Sequence, residues 1–295
     1  MSKRSSLWDR IGHAIAWRRQ IFEAKWVQFR MKFRTTMRWW FCRKGRPHGL
    51  PAPLIVSLTS YPKRYDTLPY TLKCLLTQTV RPDKVVLWIA HADMAALTPE
   101  LRALEKVGLV IGAVEDLRSY NKIIPSLAAY PDAYICTADD DVYYERRWLE
   151  ELVADVVPGE PVVTCHRVHE ITVDGAGDYR RYREWVMETP RRGESAAFFP
   201  TGVGGVLYPP GVLTYSASDY AEIREVCPRA DDVWLYWIGR RNGARYRAIG
   251  TAKPILCWDG SQETALFLDN TLQDGNDPVI QEMARRHGYP AVHGV

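Results

Sequence analysis

Apolar and polar positions follow two different rhythms along this chain, and the change between them near residue 48 divides it. From residue 7 to residue 33 the period is helical. At 100° per residue, Leu7, Trp8, Ile11, Ile15, Phe22, Trp26, Phe29 and Phe33 share one face, while Arg10, Arg19, Arg30 and Arg34 lie on its flanks or away from it. "MRWWFCRKGR" and the Gly/Pro-rich "GRPHGLPAP" then close an arm and linker over 1–48. Beyond it, short apolar runs alternate with helical patterns. "PLIVSLTSYP" (53–62), "DKVVLWIA" (83–90), "LVIGAV" (109–114) and "AYICTA" (133–138) read as buried strands. "DTLPYTLKCLLTQT" (66–79), "TPELRALEKVG" (98–108) and "NKIIPSLAAYP" (121–131) read as the helices between them. This alternation predicts an α/β fold with a mostly parallel sheet flanked by helices, occupying 49–295.

The pattern loosens after residue 145. "EPVVTCHRVHEI" (160–171) is strand-like, and 174–195 is a polar excursion rich in Arg and Tyr, for which acceptor recognition is the expected use. "FFPTGVGGVLYPPGVL" (198–213) is rich in glycine, "PRADDVWLYWIGRRNG" (228–243) has helical spacing, and "DPVIQEMARRHG" ends the chain as a helix. Trp234 and Trp237, three apart, are expected to pack in the core rather than stack on a ligand.

Composition changes this picture in one place. The 46% hydrophobic and 25% charged content is that of an ordinary globular protein. The net charge of +4, however, is unevenly spread. Residues 1–48 hold 13 Lys/Arg against two acids, whereas the remainder holds 26 against 33. Five of the eleven tryptophans also lie in the arm. A basic amphipathic helix rich in aromatics suits the surface of an anionic bilayer. A helix packed on the body, an oligomer contact and nucleic-acid binding are the alternatives, and no nucleic-acid motif accompanies the last. No run reaches the 18 apolar residues of a membrane span, and no secretory signal is read. The six cysteines form no C-x-x-C pair and fit buried free thiols better than disulfides or a zinc site. The expectation is a cytoplasmic protein, peripheral at the inner face of the cell membrane.

The candidate chemistry begins where "YICTA" runs into Asp139, Asp140 and Asp141. In parallel α/β sheets ligands bind beyond the carboxyl ends of strands, and these aspartates stand at such an end. Adjacent carboxylates raise one another's pKa unless positive charge offsets them. With no His/Cys set nearby, the natural partner is a hard divalent cation, Mg²⁺ or Mn²⁺, shared with substrate phosphates. Helix capping by Asp141 would explain one aspartate, not three.

With "IVSLTSYPKR", "ADDDVYY", "TGVGGVLYPP" and "ADDVW" in this order over roughly 53–270, the chain resembles GT-A-fold, nucleotide-sugar-dependent glycosyltransferases. It is similar to family 2-type enzymes of bacterial surface-polysaccharide synthesis. The resemblance implies a GT-A-type, Rossmann-like fold with a nucleotide-sugar-binding half over 49–145 and an acceptor half over 146–295. It places a metal on Asp139 and Asp141, with Asp141 the more direct ligand and Asp140 in a variable place. Thr59, Ser60, Tyr61, Arg64, Lys122, Asp139 and Asp140 would hold the nucleotide-sugar, UDP-linked by preference. Thr201, Gly202, Gly204 and Gly205 would let backbone approach the sugars. Asp232 would be the general base of an inverting transfer to a glycan or lipid-linked hydroxyl, with Asp231 orienting it. The pair also suits plain helix capping before "VWLYWI", and Lys122 suits a solvated helix position. His166 and His169 are expected to be structural, and His287 is left without a clear motif. The first strand lacks the family's base-reading carboxylate, Asp66 being the only candidate near it. The other classes considered are a sugar-nucleotide nucleotidylyltransferase, disfavoured by the glycine-free "SLTSYPKRYD", and a non-catalytic glycan- or membrane-binding protein.

Overall fold

The structure is a computed structural model and describes residues 7–41, 45–250, 254–260 and 275–292. It divides into two units, residues 1–42 and 43–295. The first is one continuous helix, α1 (Leu7–Phe41), 35 residues long. The side chains of Leu7, Trp8, Ile11 and Ile15 on its expected apolar face, that of Arg10 beside it, and Cys42 lie outside the described residues.

The second unit opens with a two-residue strand, β1 (Arg46–Pro47), before the first long strand, β2 (Leu54–Thr59), and α2 (Leu68–Leu76). Then come β3 (Val80–Arg81), β4 (Lys84–Ala90), α3 (Pro99–Ala103), β5 (Leu109–Val114), α4 (Ile124–Ala129) and β6 (Tyr134–Thr137). The second half holds α5 (Trp148–Ala154), β7 (Val162–Cys165), β8 (Val168–Glu170), β9 (Gly193–Glu194), β10 (Phe198–Pro200) and β11 (Val206–Tyr208). It ends with α6 (Ala217–Glu225), α7 (Asp231–Arg241), β12 (Arg245–Ala248) and α8 (Asn276–His287). The eight-stranded sheet has the order β5-β4-β2-β6-β11-β7-β12-β9, while β1 pairs β3 and β8 pairs β10 apart from it.

The expected parallel arrangement holds for β5, β4, β2 and β6, apolar runs of which β2, β6 and most of β4 are buried while the edge strand β5 is largely accessible. It fails at β11, which runs antiparallel to both β6 and β7. β9, ahead of this strand in the chain, already runs antiparallel to β12, and the loop "TGVGG" that leads into β11 passes through Gly204 and Gly205, both at positive φ.

The helix after the acidic triplet starts at Trp148 with Arg147 at its N-cap, so Asp141 caps nothing. Within the excursion at 174–195, Tyr182 and Trp185 are buried against Phe199 and the Tyr179 hydroxyl donates to Pro290 O, while its arginines are exposed. Trp234 and Trp237 are fully buried and satisfy their indole N–H groups on Asp219 O and Gly288 O, as expected of core residues. The five cysteines described are free, four of them buried.

Candidate active site

The site follows from sheet register. β6 lies beside β2 in parallel, with Thr137 opposite Ser57, so the loops leaving these strands emerge together. β11 pairs β6 from the other side with Val206 opposite Thr137, and because it is reversed, the loop leading into it reaches the same edge. Residues 60–64, 139–141 and 201–205 thus meet although up to 145 positions separate them.

The acidic triplet is divided among three partners. Asp140 Oδ2 accepts from Ser60 Oγ at 2.5 Å. Asp141 Oδ2 accepts from Arg64 Nη1, a pair in which both residues are buried. Asp139 Oδ1 lies 3.2 Å from Lys122 Nζ, and its own backbone N–H donates to the Tyr144 hydroxyl. The second acidic pair opens α7. Asp231 and Asp232 stand in the first turn, where negative charge complements the helix dipole. Their oxygens, however, face other elements. Asp231 Oδ1 accepts from Ser119 Oγ at 2.9 Å, its Oδ2 is 3.1 Å from Lys122 Nζ, and Asp232 Oδ1 accepts from the Gly202 N–H at 2.9 Å. A capping role for this pair is therefore not what the structure shows. Lys122, 7% exposed, is no solvated lysine either: it is the cation between the two clusters.

Electrostatics at this edge are out of balance. Five carboxylates (Asp139, Asp140, Asp141, Asp231, Asp232) face two cations, Arg64 and Lys122. Burial and the neighbouring Asp141 and Asp139 push the Asp140 carboxyl up to about 7, against the help of Ser60 and Arg64. Burial and Asp231 likewise push Asp232 up to about 7, opposed by Lys122 and the Gly202 amide. Burial works against the Lys122 charge, but Asp139, Asp231 and Asp232 outweigh it and hold the ammonium well above its ordinary value. The surplus of negative charge is what a divalent cation would relieve, and the donors are all oxygen, the set hard cations take. Among the described residues no group of three or more His, Cys, Asp or Glu forms a cage. Asp139 is the more open carboxylate, its side chain 23% exposed against 11% for Asp141.

The glycine loop is shaped by this cluster. A Cβ on Gly202 would stand 2.8 Å from Lys122 Nζ and 3.0 Å from Asp232 Oδ1, so only glycine lets the amide reach the carboxylate with the ammonium in place. Gly205, at φ +106°, lies against the Trp148 indole, where a Cβ would come within 2.5 Å. Gly204 accepts from Trp148 Nε1 and faces the neighbouring cavity. Thr201 Oγ1 accepts from Arg167 Nη1 at 3.1 Å.

That cavity, about 410 Å³, is walled by Tyr143, Tyr144, Trp148, His166, Arg167 and Glu188 among others. It borders the carboxylates rather than containing them, and Tyr144 is the wall they share. Trp148 and His166 stack with ring planes 13° apart, and Arg167 Nη2 donates to Glu188 Oε1 at 2.7 Å.

Other residues singled out in the sequence lie elsewhere or do less. Thr59 Oγ1 is spent on Trp88 O in β4, Tyr61 accepts from Arg64 Nε at 3.3 Å, and Asp66 is exposed. His169 Nδ1 accepts from Glu188 N, and His166 Nε2 contacts Trp148 O. His287 pairs with Glu222 on α6, not with the aspartates. Ser119, Tyr144 and Arg167 were not foreseen. Ser119 had a signal: it sits three residues before Lys122 in a 3₁₀ turn (Arg118–Lys122), where positions three apart eclipse.

No protein-family model matches the sequence, and no curated protein matches it. The chain is similar to several solved structures. One is glucosyl-3-phosphoglycerate synthase from Mycobacterium tuberculosis in complex with Mn²⁺, uridine diphosphate and glucosyl-3-phosphoglycerate, at 13% identity over 81% of each chain and a TM-score of 0.46. Another is the mannosyltransferase PcManGT from Pyrobaculum calidifontis in complex with GDP-Man and Mn²⁺, at 13% identity over 93% of this chain and 79% of that one, TM-score 0.45. A third is CMP:2-keto-3-deoxy-manno-octonic acid synthetase complexed with CTP, at 12% identity over 78% of this chain and 100% of that one, TM-score 0.42. The functional reading therefore rests on the chain's own geometry.

Proposed function

We propose that this chain is a metal-dependent, inverting glycosyltransferase that moves a sugar from a nucleotide-sugar donor, UDP-linked by preference, to a hydroxyl of a glycan or lipid-linked acceptor in surface-polysaccharide assembly. One observation carries the reading: Asp139 and Asp232 arrive from different ends of the fold and are held at one edge by Lys122 and the Gly202 amide. One cluster suits a diphosphate and its cation, and the other suits a proton acceptor.

Asp139 and Asp141 would hold Mn²⁺ or Mg²⁺, which when bound neutralises charge on a departing diphosphate. Lys122 and Arg64 add fixed positive charge on either side of it. Asp232 engages the Gly202 N–H through Oδ1, leaving Oδ2 to take the acceptor hydroxyl's proton as its oxygen attacks the anomeric carbon. A carboxyl pushed up to about 7 is better matched to that task near neutrality than an ordinary aspartate. Asp231, fixed by Ser119 and Lys122, keeps the first turn of α7 in place. The adjoining cavity, with its aromatic wall and the Glu188 carboxylate, suits the acceptor saccharide.

The test is donor binding and slow donor hydrolysis by the purified chain with UDP-, GDP-, CMP- and dTDP-sugars, with Mn²⁺ or with chelator. Metal-dependent binding of one donor is expected. Absence of binding and hydrolysis with every donor overturns the reading, and pyrophosphate release from a nucleoside triphosphate plus a sugar phosphate would assign the nucleotidylyltransferase class instead.

A further inference from the structure

The transferase reading leaves α1 unused. Along its described part, Phe22, Trp26, Phe29, Phe33, Met37 and Trp40 fall within an arc of about 80° at 100° per residue, a stripe about 27 Å long. These are exposed side chains: Phe22 is 70%, Trp26 52%, Phe29 57%, Phe33 53% and Trp40 72% accessible. The rings touch one another along the helix, Trp26 on Phe29 at 5.6 Å and Phe29 on Phe33 at 6.1 Å between centroids. A row of large rings left in water is costly, and a contiguous one marks a contact surface.

Charge says what the contact is. Lys25 lies about 60° to one side of the Phe22 direction and Arg30 about 80° to the other, both exposed. Lys32 extends one row, and Arg19, ion-paired with Glu23 at 2.8 Å, extends the other. Cations thus flank the aromatic stripe on both sides, where their stems can run along an apolar surface while the charges reach outward. Nucleic acid would be met by cations at the centre of the contact, and a protein groove does not require a cationic rim of this length. No helix among the described residues is long and apolar enough to cross a membrane. The arm carries 13 Lys/Arg against two acids in residues 1–48.

We propose that α1 lies in the plane of an anionic phospholipid surface, with the Phe22–Trp40 stripe at the boundary between headgroups and acyl chains and the flanking cations on lipid phosphates.

The experiment is co-sedimentation of the full chain with mixed phosphatidylglycerol–phosphatidylcholine vesicles and with pure phosphatidylcholine vesicles, at low and high salt. Binding to the mixed vesicles is expected, weakened by salt and by removing the anionic lipid. The triple variant Trp26→Ala/Phe29→Ala/Phe33→Ala should bind about a hundredfold more weakly. Lys25→Gln/Arg30→Gln should bind about tenfold more weakly and show less salt dependence. An unchanged circular dichroism melt separates lost binding from lost folding. Lipids carrying a fluorescence quencher near the headgroups supply a second readout, quenching a component of the emission that Trp26→Phe removes. Undiminished sedimentation of the ring variant overturns the proposal. So does lipid-free self-association that needs the same rings in a chain that ignores vesicles, or binding to a DNA duplex that depends on the cations but not the rings.

Discussion

The two acidic clusters use the same residue type on opposite kinds of support. Asp139–Asp141 stand beyond the end of a buried central strand, and each carboxylate finds a different partner, Lys122, Ser60 or Arg64. Asp231 and Asp232 begin a helix whose next seven residues are buried, and they share their partners with the first cluster through Lys122. A strand end fixes position, because the sheet register on both sides holds it. A helix start fixes direction, because the whole buried face of α7 must move for a carboxylate to move. The difference teaches how each cluster is held: the triplet by sheet register and three separate partners, the helix-borne pair by the buried face of α7.

The largest effect expected is on transfer. Asp232→Asn should lower it by about 10²–10⁴-fold while metal-dependent donor binding persists. Asp139→Asn/Asp141→Asn should lose donor binding itself, as read by calorimetry with Mn²⁺. Reversal of these two phenotypes would exchange the roles of the clusters. Gly202→Ala tests the link between them. The added methyl must displace Lys122 or Asp232, so a loss of transfer of about tenfold or more is expected. Donor affinity should fall by less, and steady-state kinetics beside donor titration make the distinction. A smaller effect lies outside both clusters, at His169, whose imidazole burial and then Arg167 hold down to about 4. Its folded pKa is below the unfolded value near 6.5, so the stability this neutral form contributes is present above 6.5 and lost as pH falls toward 4. In His169→Asn the melting midpoint should depend less on pH over that window, with transfer at neutral pH unaltered.

Much of the parallel half was legible because β2, β4, β5 and β6 are apolar runs punctuated by turn residues, a signal carried in the local sequence. The second half was not. β8, β10 and β11 are three residues each and β9 is two, too short for any period to declare itself. The site divides the same way. The aspartates, Lys122 and the glycine loop carry their chemistry in residue type and order. The partnership of Ser60 with Asp140 spans 80 positions, and that of Trp258 with Thr71 spans 187, joining "TLKC" to the loop that holds the triplet. Nothing local marks either. Asp140 bears the consequence: its place in the triplet reads as the replaceable one, yet its carboxylate ties the loop after β2 to the acidic turn.

The reversed direction of β11 also sets a schedule. Its leading loop supplies the Gly202 amide, α7 supplies the carboxylate that amide holds, and both are synthesised long after the triplet they complete. Contacts between distant segments close late, after the loops that separate them have been ordered. A nascent chain that has emerged only as far as β7 already carries Asp139–Asp141 and Lys122, yet it has no second carboxylate cluster to set against them. The catalyst proposed here is therefore inert until Asp231 and Asp232 at the start of α7 have left the ribosome.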